Sequence, residues 1–504
     1  MFNSKYYVYG NDVQVPAHLN FGKYMLDRLR TKKDEIALEH MDTNEKLSYK
    51  EFTQYAVNLS ASLTRLGVRR GDTVAVGSEK RNEFVPTALA IVFTGAIYTP
   101  YELKSGRAGL KLKLNITQPK FLICSKNFWE LHKDILQGFE CIKQIMTLDD
   151  PFDSIPSTRN LVAQNVDVEL FEPETVLGQT DVAFILYSSG TTGLSKGVQL
   201  THLNCILNSL PYDFSDISVK TGLVFGEWYH NYDIFMTCKF LALGKKIVYA
   251  EDVNTESILR SVHQYKTNVV FAVPSLVSFL SKEGDLDEHN LDSLKIIYSR
   301  SSPLHKTTIK KVKQRFPSLK NILQGYGMTE AGELTSESWG NKGSKPGSVG
   351  KASPGITIKV SDLESRKTVG PNERGEICLK GPVLMKGYVG MDLSNYTDDE
   401  GFFRTGDLGY YDEDEYFYIV GRLKEIIVYD GYKIPPLELE TLLQMHPGVK
   451  EASVVGQPIP VLGELPTAFI VRQPGFNVSE KELLDYIAEE VSLTKRFQDY
   501  LQTL

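Results

Sequence analysis

Cysteine is scarce and scattered. The five cysteines of this 504-residue chain, Cys124, Cys141, Cys205, Cys238 and Cys378, show no CxxC spacing, which argues against a zinc site and against a disulfide framework. A reducing compartment fits that usage. A long unbroken apolar run is also missing: the most apolar stretch, FVPTALAIVFTGAIYTPY at 84–101, is interrupted by Pro86, Gly95 and Pro100, and reads as a buried core helix rather than a membrane span. The N-terminal MFNSKYYVYGNDVQVP lacks the continuous apolar segment of a secretory signal, so the chain reads as not exported. Positive charge is not in excess. A net charge of −7 leaves no broad electropositive footprint for nucleic acid or an anionic membrane, so any polyanion has to be held locally.

What is present is an ordinary globular composition, 42% hydrophobic and 24% charged, in a chain long enough for two to four packed units. Helical and strand patterns alternate over roughly the first 320 residues. LSYKEFTQYAVNLSASLTRLGV sets Phe52, Ala56, Leu59, Leu63 and Leu66 three and four apart, and the short strand GDTVAVGS follows. The β-rich runs PKFLICS, VAFILYSS, KIVYAED and TNVVFAVPS repeat the rhythm, predicting an α/β fold of two helix-covered, mainly parallel sheets. From about 335 to 420 glycine-punctuated short strands replace it and predict a small β-barrel-like subdomain. After residue 421 a new α+β pattern begins, with LELETLLQMH and SEKELLDYIAEEVS as helices, the second opened by Ser479 with Glu482 three residues on. The expected organisation is therefore a large domain over 1–420, a junction near 421 and a small α+β domain over 422–504.

The segment ILYSSGTTGLSKGVQLTH, 185–202, asks for a physical reason. A flexible linker, a structural turn or a loop wrapped on a polyanion would each produce it. Glycines let backbone N–H groups turn inward on phosphate oxygens, hydroxyls add donors and one lysine adds charge. Nucleotide binding leads, with a solvated Ser/Gly turn as the plain alternative. The Walker A spacing is not met, because Lys196 is followed by Gly197 rather than Ser or Thr, and no kinase-type catalytic aspartate motif accompanies the loop.

Further motifs stand in order along the chain: YSSGTTGLSKGV at 187–198, QGYGMTE at 324–330, TGDLGYYDEDEYFYIVGRLKE at 405–425 and YDGYKIPPLELE at 429–440. Together they resemble the AMP-forming adenylating superfamily of acyl- and aryl-CoA ligases, firefly luciferases and peptide-synthetase adenylation domains, nearest to insect luciferase-like and 4-coumarate–CoA-ligase-like members. The resemblance runs from roughly residue 20 to the end. It implies that a carboxylic acid attacks the α-phosphorus of ATP, giving an acyl-AMP that a thiol, coenzyme A, then takes up. Ser188, Ser189, Gly190, Thr191, Thr192, Gly193 and Lys196 match the phosphate loop. By the same resemblance Gly325 and Tyr326 would receive adenine, Thr329 would contact the α-phosphate, Glu330 would hold magnesium, and Asp407 with Arg422 would take the ribose. Gly421 falls at the pivot of the small domain, and His230 in EWYHNYD falls at the mouth of an acid pocket whose lining would include Tyr232, Tyr298, Arg300 and Ser301. A lone histidine, a core tyrosine or a capping aspartate is the plain reading of His230, Tyr326 and Asp407 taken singly.

The sequence also departs from the family pattern. YSRSSPL puts Arg300 and Ser301 where relatives commonly have glycines, and Tyr298 where many have a small residue. Arg300 is open to two readings: pairing with a second carboxylate on a short or polar acid, or swinging to solvent or obstructing the pocket. Val428 stands where relatives often carry a lysine that serves the second half-reaction. The family's P-K-x-x-x-G-K segment, with its adenylation lysine, has no counterpart before the sequence stops at VSLTKRFQDYLQTL, and Lys495 lies upstream of it. Two expectations follow. One is an ATP-dependent, AMP-forming acid–thiol ligase for an organic or fatty acid, medium-chain or aromatic, whose C-terminus lies outside this sequence. The other is a catalytically impaired nucleotide-binding homologue. ATP, Mg2+ and coenzyme A are the implied cofactors. The implied partners are a small carboxylic acid and CoA, with no nucleic acid and no membrane span, and the oligomeric state is not legible. QTL at the C-terminus is not a peroxisomal tripeptide, so the literal reading is cytoplasmic, and peroxisomal where such a signal follows.

Overall fold

A computed structural model describes residues 4–162, 165–189, 195–210, 218–251, 254–282, 286, 289–300, 304, 306–337, 345–429, 432–459, 463–490 and 501–503. Two large sheets dominate. In the seven-stranded sheet Thr73–Gly77, Ile97–Tyr101, Phe121–Cys124, Gln144–Thr147 and Val182–Ser189 run parallel, and the antiparallel strands Ser195–Thr201 and Gly387–Tyr388 extend one edge. In the nine-stranded sheet Asn321–Met328, Ile296–Ser299, Val269–Ala272, Thr221–Val224, Lys246–Tyr249 and Ile36–His40 are parallel neighbours. The parallel strands Phe121–Cys124, Thr221–Val224, Val269–Ala272 and Ile296–Ser299 are buried at every position, as strands covered on both faces must be. The helix Tyr49–Arg65 begins at a capping box in which Ser48 and Glu51 satisfy each other's exposed donors, and it buries Phe52, Ala56, Leu59 and Leu63 completely. Leu66, expected on the same stripe, is instead the C-cap and is 37% exposed.

The stretch 84–101 is not one helix. Phe84–Phe93 is helical and buried throughout, Gly95 ends it with φ +72°, and Ile97–Tyr101 continues as a strand. One residue free of a Cβ lets the chain turn back under its own helix. Among the described residues no helix is long and apolar enough to cross a membrane. Residues from both large sheets share one continuous core with this helix; Phe84 lies 5.7 Å from Trp228, across the boundary between them.

The β-rich stretch expected over 335–420 serves more than one sheet. Thr357–Ser361, Gly375–Lys380, Phe403–Tyr411 and Phe417–Arg422 form an antiparallel half-barrel, completed at its edge by Val8–Tyr9 from the opposite end of the chain. Gly332–Ser336 and Lys351–Ala352 join the nine-stranded sheet, and Gly387–Tyr388 the seven-stranded one. The last part is a small α+β unit, with Ile427–Tyr429, Tyr432–Ile434, Gly463–Arg472, Val449–Ile459 and Leu501–Thr503 as its sheet and Pro436–Met445 and Glu480–Glu490 as its helices. Its core, from Ile427 to Ile487, shares no residue with the others. Glu482 N–H donates to Ser479 Oγ at 3.2 Å, the cap read from the sequence.

Candidate active site

Several of the residues singled out by the motifs lie at or just beyond the carboxyl ends of the parallel strands Val182–Ser189, Ile296–Ser299 and Asn321–Met328, the end at which open α/β sheets bind ligands. Strand Asn321–Met328 delivers Gly325 and Tyr326, and the turn after it delivers Thr329 and Glu330. The half-barrel delivers Asp407 and Arg422 as directly opposed residues on neighbouring antiparallel strands. That register makes a cross-strand ion pair, Arg422 Nε to Asp407 Oδ1 at 3.4 Å. Tyr326 Oη donates to Asp407 Oδ2 at 2.5 Å, so Asp407 joins the half-barrel to the nine-stranded sheet. Asp407 is 6% exposed. Burial pushes its carboxyl above the usual carboxylate range, while the Tyr326 hydroxyl and the Arg422 charge oppose that shift.

Glu330 is buried and accepts a hydrogen bond from Tyr388 Oη at 2.7 Å. Tyr388 also faces Lys196, whose ammonium lies 4.9 Å from its ring centre, 4.5 Å from that of Tyr396, and 3.3 Å from Tyr396 Oη. Burial and the Glu330 charge hold the Tyr388 hydroxyl well above its ordinary value. Ser188 and Lys196 are paired across Val182–Ser189 and Ser195–Thr201, which places the hydroxyl and the amine side by side at the mouth of the loop. Ser188 Oγ is buried beside Tyr388, with no normally formed hydrogen bond among the described residues. Gly190, Thr191, Thr192 and Gly193 lie outside the described residues, as do Ser301, Lys495 and the side chain of Ser189.

His230 precedes the helix Asn231–Ala242 and is exposed, although surrounding protein lowers its pKa, with Glu102 acting to raise it and Lys113 to lower it. Asn231 Nδ2 donates to Thr329 O at 3.1 Å, tying this helix to the turn after strand Asn321–Met328. Tyr232 and Tyr298 line the same region, Tyr232 Oη donating to Tyr298 O at 3.4 Å. Arg300 does not swing to solvent. It is 7% exposed, and its Nη2 donates to Glu333 Oε2 at 2.6 Å, so an internal carboxylate takes the place first given to a second carboxylate on a substrate. Sequence reasoning missed Glu333, Tyr388 and Tyr396. Glu333 stands only three residues beyond Glu330, but nothing local marks its partner Arg300, which follows a strand two positions across the sheet.

Comparison with known proteins decides the family. Residues 26–389 match the model of the AMP-binding enzymes, and residues 438–502 match that of the AMP-binding enzyme C-terminal domain. The chain belongs to the AMP-binding enzyme family. Among relatives of this AMP-binding enzyme, luciferin 4-monooxygenase of Nipponoluciola cruciata is 35% identical over 93% of this chain and 87% of its own. 4-Coumarate–CoA ligase 1 of Petroselinum crispum is 31% identical over 96% of this chain and 90% of its own. ATP-bound MatB from Rhodopseudomonas palustris superimposes with a TM-score of 0.84 at 27% identity, covering 96% of this chain and 95% of that one. The family is an adenylating one that binds ATP or AMP, and it includes both luciferases and CoA ligases.

Proposed function

We propose that this AMP-binding enzyme is an ATP-dependent carboxylic acid–thiol ligase that forms an acyl-adenylate and passes the acyl group to coenzyme A. The observation that carries the reading is the Tyr326–Asp407–Arg422 set. An ionised carboxylate is an acceptor only, suited to two ribose hydroxyls, and Asp407 is held by Tyr326, whose ring would serve as the adenine platform. Attack of an acid on a triphosphate crowds anions together. Lys196, Thr329 and the loop hydroxyls at 188–192 are the donors that would stabilise the charge spreading over the phosphate oxygens.

Magnesium fits Glu330 in a limited sense. No group of three or more acidic, histidine or cysteine side chains among the described residues forms a closed cage, so the protein offers one buried carboxylate and the phosphates would complete the shell. Bound there, the ion would neutralise phosphate charge. His230, exposed and directly before Asn231, whose amide meets the Thr329 carbonyl, would guide the acid. The small unit would turn about Gly421, which here lies in strand Phe417–Arg422 paired to Leu408.

The test is ATP–pyrophosphate exchange across a panel of acids. Asp407→Ala is expected to lower nucleotide affinity by about 10- to 100-fold, the loss of charged hydrogen bonds. Unchanged affinity in that variant would remove the ribose assignment. A second reading, a nucleotide-binding homologue with impaired thiol transfer, is favoured by Val428, which is 45% exposed where relatives often carry a lysine. Exchange without thioester formation would select it.

A further inference from the structure

Beside the nucleotide residues lies a group of buried polar side chains that binding of ATP does not use. Strand register places it. Ser299 pairs with Gln324, and Gly327 pairs with Glu333, so Arg300 and Glu333 come from the strands on either side of the one that carries Tyr326. Arg300 Nη2 reaches Glu333 Oε2 at 2.6 Å, and Tyr298 Oη donates to the same oxygen at 3.0 Å. The guanidinium sits 4.9 Å from the Tyr232 ring centre and 5.4 Å from that of Tyr298. Lys239, on the helix that also carries His230's neighbours Asn231 and Tyr232, is buried against the same charges, and burial lowers its pKa to about 8.

This group is tightly fitted against the nucleotide strand. A Cβ added at Gly325 would meet Tyr298 Oη at 2.4 Å and Arg300 Nε at 3.1 Å. Asn231, whose side-chain amide meets the Thr329 carbonyl, is followed on its helix by Tyr232, which lies against Tyr298 and Arg300, so an acid activated beside Thr329 would have these large side chains and the Arg300–Glu333 pair as its neighbours. Charges held out of water tolerate a neighbour that offers hydrogen bonds and disfavour one that offers only hydrocarbon.

We infer that the Arg300–Glu333 pair, framed by Tyr232, Tyr298 and Lys239, is the acid-selecting wall of the site, and that the substrate is a short acid with a second hydrogen-bonding group on its tail rather than a fatty or unsubstituted aromatic acid. The inference rests on the adenylating reading above and narrows it. Arg300 and Glu333 act as specificity residues toward the tail, not as groups that touch the reacting phosphorus.

The experiment is isothermal titration of the full chain with stable 5′-O-(N-acylsulfamoyl)adenosines carrying 3-hydroxybutyryl, hexanoyl or cinnamoyl tails, with AMP as control. The hydroxybutyryl analogue is expected to bind about tenfold or more tightly than either of the others, the scale of discrimination a polar site gives by leaving its groups unmatched. In R300M/E333L, which removes both charges together, hexanoyl is expected to overtake hydroxybutyryl. If that variant fails to melt cooperatively, the wild-type ranking alone decides. Binding of AMP together with equal affinity for all three analogues, or with the hexanoyl or cinnamoyl analogue tightest, overturns the selectivity while leaving the adenylating reading in place. No binding of AMP or any analogue overturns both.

Discussion

Asp233 shows how much a single buried carboxyl can matter in this site. It lies in the first turn of Asn231–Ala242, beneath Gly226, where an added Cβ would meet its carboxyl oxygens at 2.1 and 2.2 Å. Burial raises its pKa to about 7, with the Lys80 charge opposing and Glu227 adding to the shift. Lys80, itself depressed by burial, donates to Phe225 O at 2.9 Å and approaches Glu227 at 3.8 Å. A carboxyl whose folded pKa exceeds its unfolded one holds its proton more tightly when folded. Its contribution is therefore greatest below the ordinary value of 3.8 and is lost as pH rises toward about 7. Asp233→Asn removes that loss. Denaturant unfolding at pH 5 and pH 8 is expected to show the wild type falling relative to the variant by on the order of 2 kcal/mol. Parallel pH dependence in the two proteins would contradict the assignment. None of this is legible in EWYHNYD, where Asp233 looks like a helix N-terminal acid. Its shift comes mainly from burial by the packed fold, and the opposing Lys80 charge comes from a distant part of the chain.

At the scale of elements, Ile296–Ser299 and Asn321–Met328 are parallel neighbours, and Gly325 is the residue that lets them carry Tyr298 and Arg300 between them. Gly325→Ala drives a methyl against the Tyr298 hydroxyl, against Arg300 Nε and, at 3.1 Å, against the Thr335 carbonyl. The expected cost is about 1–3 kcal/mol by urea unfolding. Adding Tyr298→Phe, which removes the nearest atom, is expected to recover part of it, so the double variant should cost less than the sum of the singles. Strict additivity would mean that the hydroxyl is not the obstacle. The strands themselves were legible as short β-branched apolar runs, because parallel strands are buried on both faces and advertise it locally. Val8–Tyr9 was not, since its pairing with Thr357–Ser361 depends on a partner some 350 residues away. Gly332–Ser336 likewise reads as part of a glycine-punctuated β region, and only the hairpin back from Tyr326 sends it to a different sheet. The motif residues Tyr326 and Asp407 could be named from the sequence, but the hydrogen bond joining them, and the Glu330–Tyr388 pair, exist only once separate sheets meet.

For the whole molecule, the small C-terminal unit has its own core, and contacts between its described residues and the rest include single polar and cation–ring pairs. Lys282 Nζ donates to Val449 O at 2.8 Å, Lys450 lies over the Phe279 ring at 5.2 Å, and Lys433 approaches Glu364 at 4.0 Å. The exposed Lys433–Glu364 pair contributes little to stability. A unit with a small separate core opens at a lower free energy than a large one built on shared sheets. Scanning calorimetry is therefore expected to give two transitions, the lower from the small unit. On the proposed assignment to Tyr326 and Asp407 in the large part, AMP would stabilise only the state that binds it, by about 2.7 kcal/mol at a concentration 100 times Kd. It should move the upper transition by a few degrees and leave the lower one in place. A single transition that AMP moves as a whole would mean that the two units fold as one. In that case the proposed turn of the small unit about Gly421 would have to break cooperative structure.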